Sequence, residues 1–487
     1  MNEIILTIYI LTLTVLLIFS LHGFIMLYYH QKLKGNPHST NNSNDHKIVT
    51  VQLPLYNEMY VAERLIDSIC ALDFEKSNLE IQVLDDSTDN TFEIVRKIVE
   101  EKRQAGFDIK HIHRKIRTGF KAGALREGLA TARGEFLAIF DADFVPNKDF
   151  LKKTLQYFVN DNIGMVQTRW EHLNEDFSLL TKIQALALNG HFVIEQTVRN
   201  KAGFFINFNG TGGVWRKSCI LDAGNWQDDT ITEDLDLSYR AQLNGWKFIF
   251  LRDTTTPAEL PAEINALKAQ QFRWTKGAIE TAKKLLPLVW SSNLNIKIKL
   301  QSTFHLCNNM VFPFILLAGI LNVPLIFIKN SGPYDNVFNF MAIFILAFIS
   351  SFVFYLYAQK DVYIDWRKKI TLFPIFMAGS MGFAVNNTRA VVEGLLSRKS
   401  AFIRTPKYKV YNDIDKSSFL SNKYFQNTKV DSSAFIELML SAYCLIGVVA
   451  SIYFLEIAAL PFQLMFFLGF GVVSILSLRQ NLMKRRG

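Results

Sequence analysis

The sequence predicts an α/β domain inserted among transmembrane α-helices, with the domain on the cytosolic side. Three observations carry this expectation. An apolar run longer than the roughly 20 residues that cross a bilayer begins almost at the N-terminus. Between residues 47 and 168, β-rich runs alternate with helix-like segments, the order of a parallel sheet with crossover helices. Beyond residue 295 the chain turns apolar again, in two pairs of long hydrophobic stretches.

In chain order, residues 1–34 hold "IILTIYILTLTVLLIFSLHGFIMLYYHQKLK". Its basic residues, Lys32 and Lys34, follow the apolar run, whereas a cleaved signal places them first. An uncleaved anchor with its N-terminus outside is therefore expected. Residues 35–295 carry charges throughout and form the expected cytosolic domain. A transmembrane hairpin is expected over 296–360, from "VFPFILLAGILNVPLIFI" and "VFNFMAIFILAFISSFVFYLYA". Another follows over 435–487. Within 361–434, "ITLFPIFMAGSMGFAV" is short and contains Pro374, Gly379 and Gly382. If it crossed, the segment 396–430, with eight Lys/Arg against two Asp, would lie outside together with the tail "MKRRG". A re-entrant or interface-lying helix followed by a basic cytosolic loop keeps both inside, giving five crossings. The expected setting is a multi-pass protein of a bacterial inner membrane.

The net charge of +9 fits basic loops at a membrane face, and no nucleic-acid-binding signature accompanies it. Cys70, Cys219, Cys307 and Cys444 form no CxxC pair, which argues against a cysteine zinc site or a disulfide scaffold.

The expected strands are "KIVTVQL", "LEIQVLDD", "FDIKHIH", "EFLAIFDAD" and "IGMVQTRW"; "EMYVAERLIDSICAL", "DNTFEIVRKIVEEK" and "KAGALREGLATA" are the helices between them. Ligands of such sheets sit at the carboxyl ends of the strands. Two acidic clusters fall there, Asp85-Asp86 and Asp141-Ala142-Asp143. A nucleotide site uses either glycine-rich amides or acids that hold a divalent cation. The first device is absent: "GTGGVWRKS" has Arg216 where a P-loop needs glycine, and "GFKAGALREG" lacks the dinucleotide spacing. The second fits, although an Asp-x-Asp is also an ordinary solvated turn. Thr232, Glu233 and Asp234 stand at a helix start, either as capping residues or as a carboxylate aimed into a pocket. "QQFRW" (270–274) reads as an amphipathic helix face or as a cation and an indole set at a site, and "IETAKKLLPLVWSS" (279–292) as an interface helix.

Seven motifs, in order, carry a family resemblance: "QLPLYNE" (52–58), "LDDSTDNT" (84–91), "GFKAGAL" (119–125), "FDADF" (140–144), "INFNGTGGVWR" (206–216), "TEDLDL" (232–237) and "QQFRW". Together they resemble a membrane-embedded, cellulose-synthase-like family 2 glycosyltransferase, of the mannan and glucomannan synthase and xyloglucan-backbone branches. The resemblance implies a nucleotide-sugar-binding domain of GT-A-like fold. It implies donor binding by Pro54, Tyr56, Glu58, Asp85, Asp86, Lys121, Asp141, Gln270 and Arg273. Asp141 and Asp143 would hold Mg²⁺ or Mn²⁺ against the diphosphate. Asp234 would be the catalytic base, with Glu233 and Thr232 beside it, and Trp274, Asn209, Gly210 and Thr211 would meet the acceptor. "AFIRTPKY" (401–408) is similar to the family's gating segment, implying a role for Phe402, Arg404, Thr405 and Lys407.

The expected activity is thus inverting, metal-dependent extension of a β-glycan, with GDP-mannose or UDP-glucose as donor and a glycan acceptor at the bilayer. Single-sugar transfer to a lipid such as ceramide is the alternative, and a non-catalytic nucleotide-sugar sensor is a third. Nothing in the sequence identifies protein partners.

Overall fold

The computed structural model describes residues 1–35, 39–40, 47–398, 404–409, 424 and 433–484. Its centre is a seven-stranded sheet: β1 (Val49–Leu55), β2 (Leu79–Asp85), β3 (Asp108–His113), β4 (Phe136–Ile139), β5 (Ile163–His172), β6 (Gly213–Arg216) and β7 (Lys247–Ala258), in spatial order β3-β2-β1-β4-β6-β5-β7. All five expected strands are present. β6 and β7 were not expected, and the sheet is mixed rather than parallel, because β6 pairs antiparallel with both β4 and β5. The reason is the route of the chain. After β5 it passes through the helical segment Leu179–Lys201 and re-enters between two existing strands from the opposite end.

The strands form where β-branched and aliphatic residues run together, and both faces are covered. Val49, Val51, Leu53, Ile81, Val83, Phe140 and Phe150 belong to the core on one face; Leu125, Leu137, Ile139, Met165, Trp215 and Phe248 belong to that on the other. The second face also takes buried polar groups. Thr50 donates to Glu80 at 2.6 Å and Gln52 to Gln82 at 3.0 Å across β1 and β2, so these polar side chains bond one another within the sheet. Helix Phe120–Thr131 packs over them at Gly128, where a Cβ would stand 2.6 Å from Gln52 Nε2.

Among the described residues, five helices are long and apolar enough to cross a membrane: Asn2–Lys32, the run Ile296–Lys329, the run Asp335–Val362, Ser433–Tyr453 and Leu460–Gln480. The ambiguous stretch becomes two helices, Trp366–Gly382 and Ala384–Leu395, bent by 47° at the break between them. Gly382 and Gly469 let helix Phe373–Gly382 and helix Leu460–Lys484 touch backbone to backbone, since a Cβ on Gly382 would lie 2.3 Å from Gly469 O. The interface helix expected at 279–292 is the last part of one continuous helix, Ile264–Ser291, which also carries "QQFRW".

Candidate active site

The carboxyl ends of β1, β2, β4 and β5 open into one cleft of about 250 Å³. β1 contributes Pro54 and, just beyond it, Tyr56 and Glu58; the residue after β2 is Asp86; the turn after β4 brings Asp141 and Asp143; β5 ends in Trp170 and His172. Asn209 and Gly210 enter ahead of β6. Thr232, Glu233 and Asp234 come from the start of helix Glu233–Leu243, and Gln270, Arg273 and Trp274 from helix Ile264–Ser291. Arg404, Thr405 and Lys407 close the opposite wall.

Two expected residues do not line the cleft. Asp85 is fully buried at the end of β2, where Oδ1 accepts the Ser87 N–H and Oδ2 faces His111, so it shapes the loop that presents Asp86. Thr211 is also buried, and its hydroxyl accepts the Asp141 N–H at 2.9 Å, which orients the acidic turn. Phe402 lies outside the described residues.

Four acids at the cleft, Asp141, Asp143, Glu58 and Asp86, each face a cation. Lys121 Nζ lies 2.5 Å from Asp141 Oδ1 and donates to Gly210 O at 2.9 Å. Lys407 Nζ lies 2.5 Å from Asp143 Oδ2, and Arg404 grips Glu58 through two hydrogen bonds of 2.9 and 2.8 Å. Arg114 grips Asp86 in the same forked way, while the Arg117 guanidinium lies 3.5 Å above the Tyr56 ring. Arg273 donates to Thr405 Oγ1 at 2.8 Å, tying the helix that carries it to the segment 404–409. Tyr408 reinforces that segment through Glu259 and Glu263, both at 2.8 Å.

Burial raises three of the carboxylates at the cleft. Asp234 is pushed up to about 7 by burial, and the neighbouring Glu233 charge adds to the effect. Glu233 is raised chiefly by burial, against the pull of Lys121. Glu58 is raised by burial to about 7, with Arg404 opposing. Burial alone would lower Lys121, but Asp141 and Glu233 outweigh it and hold the ammonium above its ordinary value. Burial lowers Arg273 to about 10 and His172 to about 3, so at neutral pH the first is a cation and the second a neutral imidazole. Asp234 Oδ1 accepts the Leu235 N–H at 2.8 Å, and the backbone at Gly210 passes close to the other oxygen. Gly210 sits at φ +80°, a conformation that favours glycine, and a Cβ there would come 3.1 Å from Asp234 Oδ2.

Asp141 and Asp143 offer oxygen donors from two sides of one turn, and each attracts an ammonium from a different part of the chain. An all-oxygen anionic pair that gathers cations fits a hard divalent ion such as Mg²⁺ or Mn²⁺.

Sequence reasoning missed Arg114, Arg117, Trp170, His172 and Glu259. Trp170 and His172 had a local signal, the alternation of "RWEH" continuing β5 by two residues beyond the expected end. The arginines stand in "HRKIRTGF", directly before a recognised motif. Glu259 had none, because its partners Arg64, Lys407 and Tyr408 lie far off in the chain.

Residues 46–277 match the family model described as "Glycosyltransferase like family 2". Glucomannan 4-beta-mannosyltransferase 1 of Oryza sativa subsp. japonica is 39% identical over 279 residues, 56% of this chain and 52% of the relative. A probable glucomannan 4-beta-mannosyltransferase 4 of the same plant is 41% identical over 279 residues, 50% of its length. The chain therefore spans about half the length of the curated relatives it matches. Among solved structures, a mannosyltransferase of Pyrobaculum calidifontis in complex with GDP-Man and Mn²⁺ superposes with a TM-score of 0.58 at 19% identity. That likeness covers 81% of this chain and all of the other, and it shows a shared fold. The mixed sheet, the acids at its strand ends and the matched segment agree: residues 46–277 are similar in sequence to glycosyltransferase-like family 2.

Proposed function

We propose that the protein is an inverting, metal-dependent glycosyltransferase that extends a β-glycan at the membrane surface from a nucleotide-sugar donor. The observation that carries the proposal is convergence: Asp234, the Asp141–Asp143 turn and the Arg273–Trp274 pair all face one cleft. The identity with glucomannan 4-beta-mannosyltransferases supports a β-glycan product and favours GDP-mannose over UDP-glucose as donor.

In this reading the donor's nucleoside lies along Pro54, Tyr56 and Asp86, with its diphosphate toward Lys121 and Arg273. Asp141 and Asp143 would hold Mg²⁺ or Mn²⁺, which when bound neutralises diphosphate charge and stabilises the leaving group. Asp234 takes the proton of an acceptor hydroxyl. The hydroxyl oxygen forms a bond to the anomeric carbon, the bond from that carbon to the diphosphate oxygen breaks, and the nucleoside diphosphate departs with the electron pair. A single displacement inverts the centre, so an α-linked donor gives a β-glycoside. A carboxylate held near neutrality suits this task, because it is ionised at working pH yet still basic enough to accept a proton. Trp274 and Trp170, with ring centroids 6.5 Å apart, offer apolar faces to the sugars.

The test is release of nucleoside diphosphate from a panel containing GDP-mannose and UDP-glucose, with the product's fate followed by radiolabel. Retention on paper identifies a polymer; extraction into organic solvent identifies the lipid-acceptor alternative. Asp234→Asn is expected to bind donor while losing about 10²–10⁴-fold in turnover. Retained turnover in that variant overturns the assignment of the base.

A further inference from the structure

We propose that Asp85, His111 and His113 form a second divalent-metal site, of the zinc type, outside the cleft and distinct from the Asp141–Asp143 pair. β3 is the edge strand of the sheet, and residues two apart on a strand share a face, so both imidazoles project to the same side. Asp85 is the register partner of His113 on the neighbouring β2. Both rings address the same carboxylate oxygen: Asp85 Oδ2 lies 2.9 Å from His111 Nε2 and 3.9 Å from His113 Nδ1. All three donor atoms fall within 4.8 Å of one another, the only such group of three His, Cys, Asp or Glu side chains among the described residues.

The spacing suits an ion. A metal about 2.0–2.1 Å from each ligand separates its ligands by about 3–4 Å. Two of the three separations already straddle that range, and a rotation of His113, the most exposed of the three, would have to close the third. The other carboxylate oxygen accepts the Ser87 N–H at 2.8 Å, which orients Asp85 and leaves Oδ2 directed at the rings. Phe92 packs against both imidazoles, with centroids 5.2 and 4.7 Å away, and so shields the position from one side. Two imidazoles and one carboxylate leave a fourth position for water. That set suits Zn²⁺ or Co²⁺ and is a poor match for Mg²⁺, in contrast to the all-oxygen pair in the cleft. An ion here would join the tips of β2 and β3 directly beneath the loop that presents Asp86 to the cleft.

The experiment uses the full-length protein in detergent, stripped by chelator and titrated with Co²⁺ in excess Mg²⁺. The expected result is one equivalent of cobalt with the visible d–d absorption of a four-coordinate site, displaced by one equivalent of Zn²⁺. His113→Ala, and separately His113→Asn, should weaken cobalt binding at least about tenfold while melting like the wild type in chelator. Asp143→Asn should leave the absorption intact. The proposal is overturned if the wild type gives no such absorption, or if the absorption survives both His113 variants, or if it is lost from Asp143→Asn and so belongs to the cleft. The readout is independent of turnover, so it stands or falls apart from the proposed activity.

Discussion

Glu233 and Asp234 sit side by side at a helix start, and their charges oppose one another in a cleft that already penalises ionisation. In the proposed mechanism Asp234 accepts a proton, which it can do only when deprotonated. With its pKa raised to about 7, kcat/KM should fall as pH drops below neutrality, approaching tenfold per unit once Asp234 is mostly protonated. Burial is the larger cause of the shift and Glu233 the next. Glu233→Gln removes only the second contribution, so the acidic limb should move to lower pH and remain above the range of an exposed aspartate. A pH profile for the two proteins checks this, and an unmoved or upward-moving limb would contradict the coupling. These two acids were legible in the sequence because a helix start after a turn is a local signal. The cations that complement Asp143 and Glu58 were less so. Lys407 and Arg404 stand 264 and 346 residues away from them, and only the family resemblance drew attention to that segment.

The helix Ile264–Ser291 joins the cleft to the membrane part. It presents Gln270, Arg273 and Trp274 to the cleft, and one turn earlier it buries Lys268 against Glu437 of helix Ser433–Tyr453, at 2.7 Å, with Ser433 Oγ also at 2.7 Å. Both charged side chains are almost wholly enclosed. Removing one partner leaves the other charge buried and unmatched, a loss of about 3–5 kcal/mol in such pairs, whereas replacing both by apolar groups of similar size is close to neutral. Lys268→Met is therefore expected to lower the thermal midpoint in detergent markedly, and Lys268→Met with Glu437→Leu to recover most of the loss. Equal destabilisation by the single and double variants would show that the pair does not couple the two helices. This contact was illegible in the sequence, since nothing local marks Lys268 as buried or says which distant helix receives it. The sheet shows the same division. Five strands announced themselves by apolar runs at regular spacing, while β6 is four residues of "GVWR" whose identity as a strand depends on β4 and β5 flanking it.

For the molecule as a whole, polar contacts at the helix ends sort the loops into two sets. Asp361, at the end of the run Asp335–Val362, meets His30 of the first helix at 2.9 Å and Arg252 of β7 at 3.1 Å, so both helix ends abut the α/β domain. Arg252 reaches out there because the β5–β7 register jumps from Leu251 to Thr255. At the far ends, Lys329 pairs with Glu456, which groups the turns after residues 329 and 453 away from that domain. Both ends of the bent pair fall in the first set. Lys369 meets Glu175 at 2.5 Å, and Arg398 O accepts from Lys276 at 2.5 Å, so the segment leaves the domain side and returns to it. From these contacts we propose a re-entrant element and five crossings, the arrangement that the charge pattern of the sequence also predicts. Cysteine substitutions on a background with the native thiols removed test it. Ser331→Cys should react with a membrane-impermeant thiol reagent from the face opposite Lys148→Cys. Lys368→Cys and Arg398→Cys should both react from the Lys148 face. Labelling of residues 368 and 398 from opposite faces would make the bent pair a sixth crossing and would place the segment 404–409 across the bilayer from the cleft it closes.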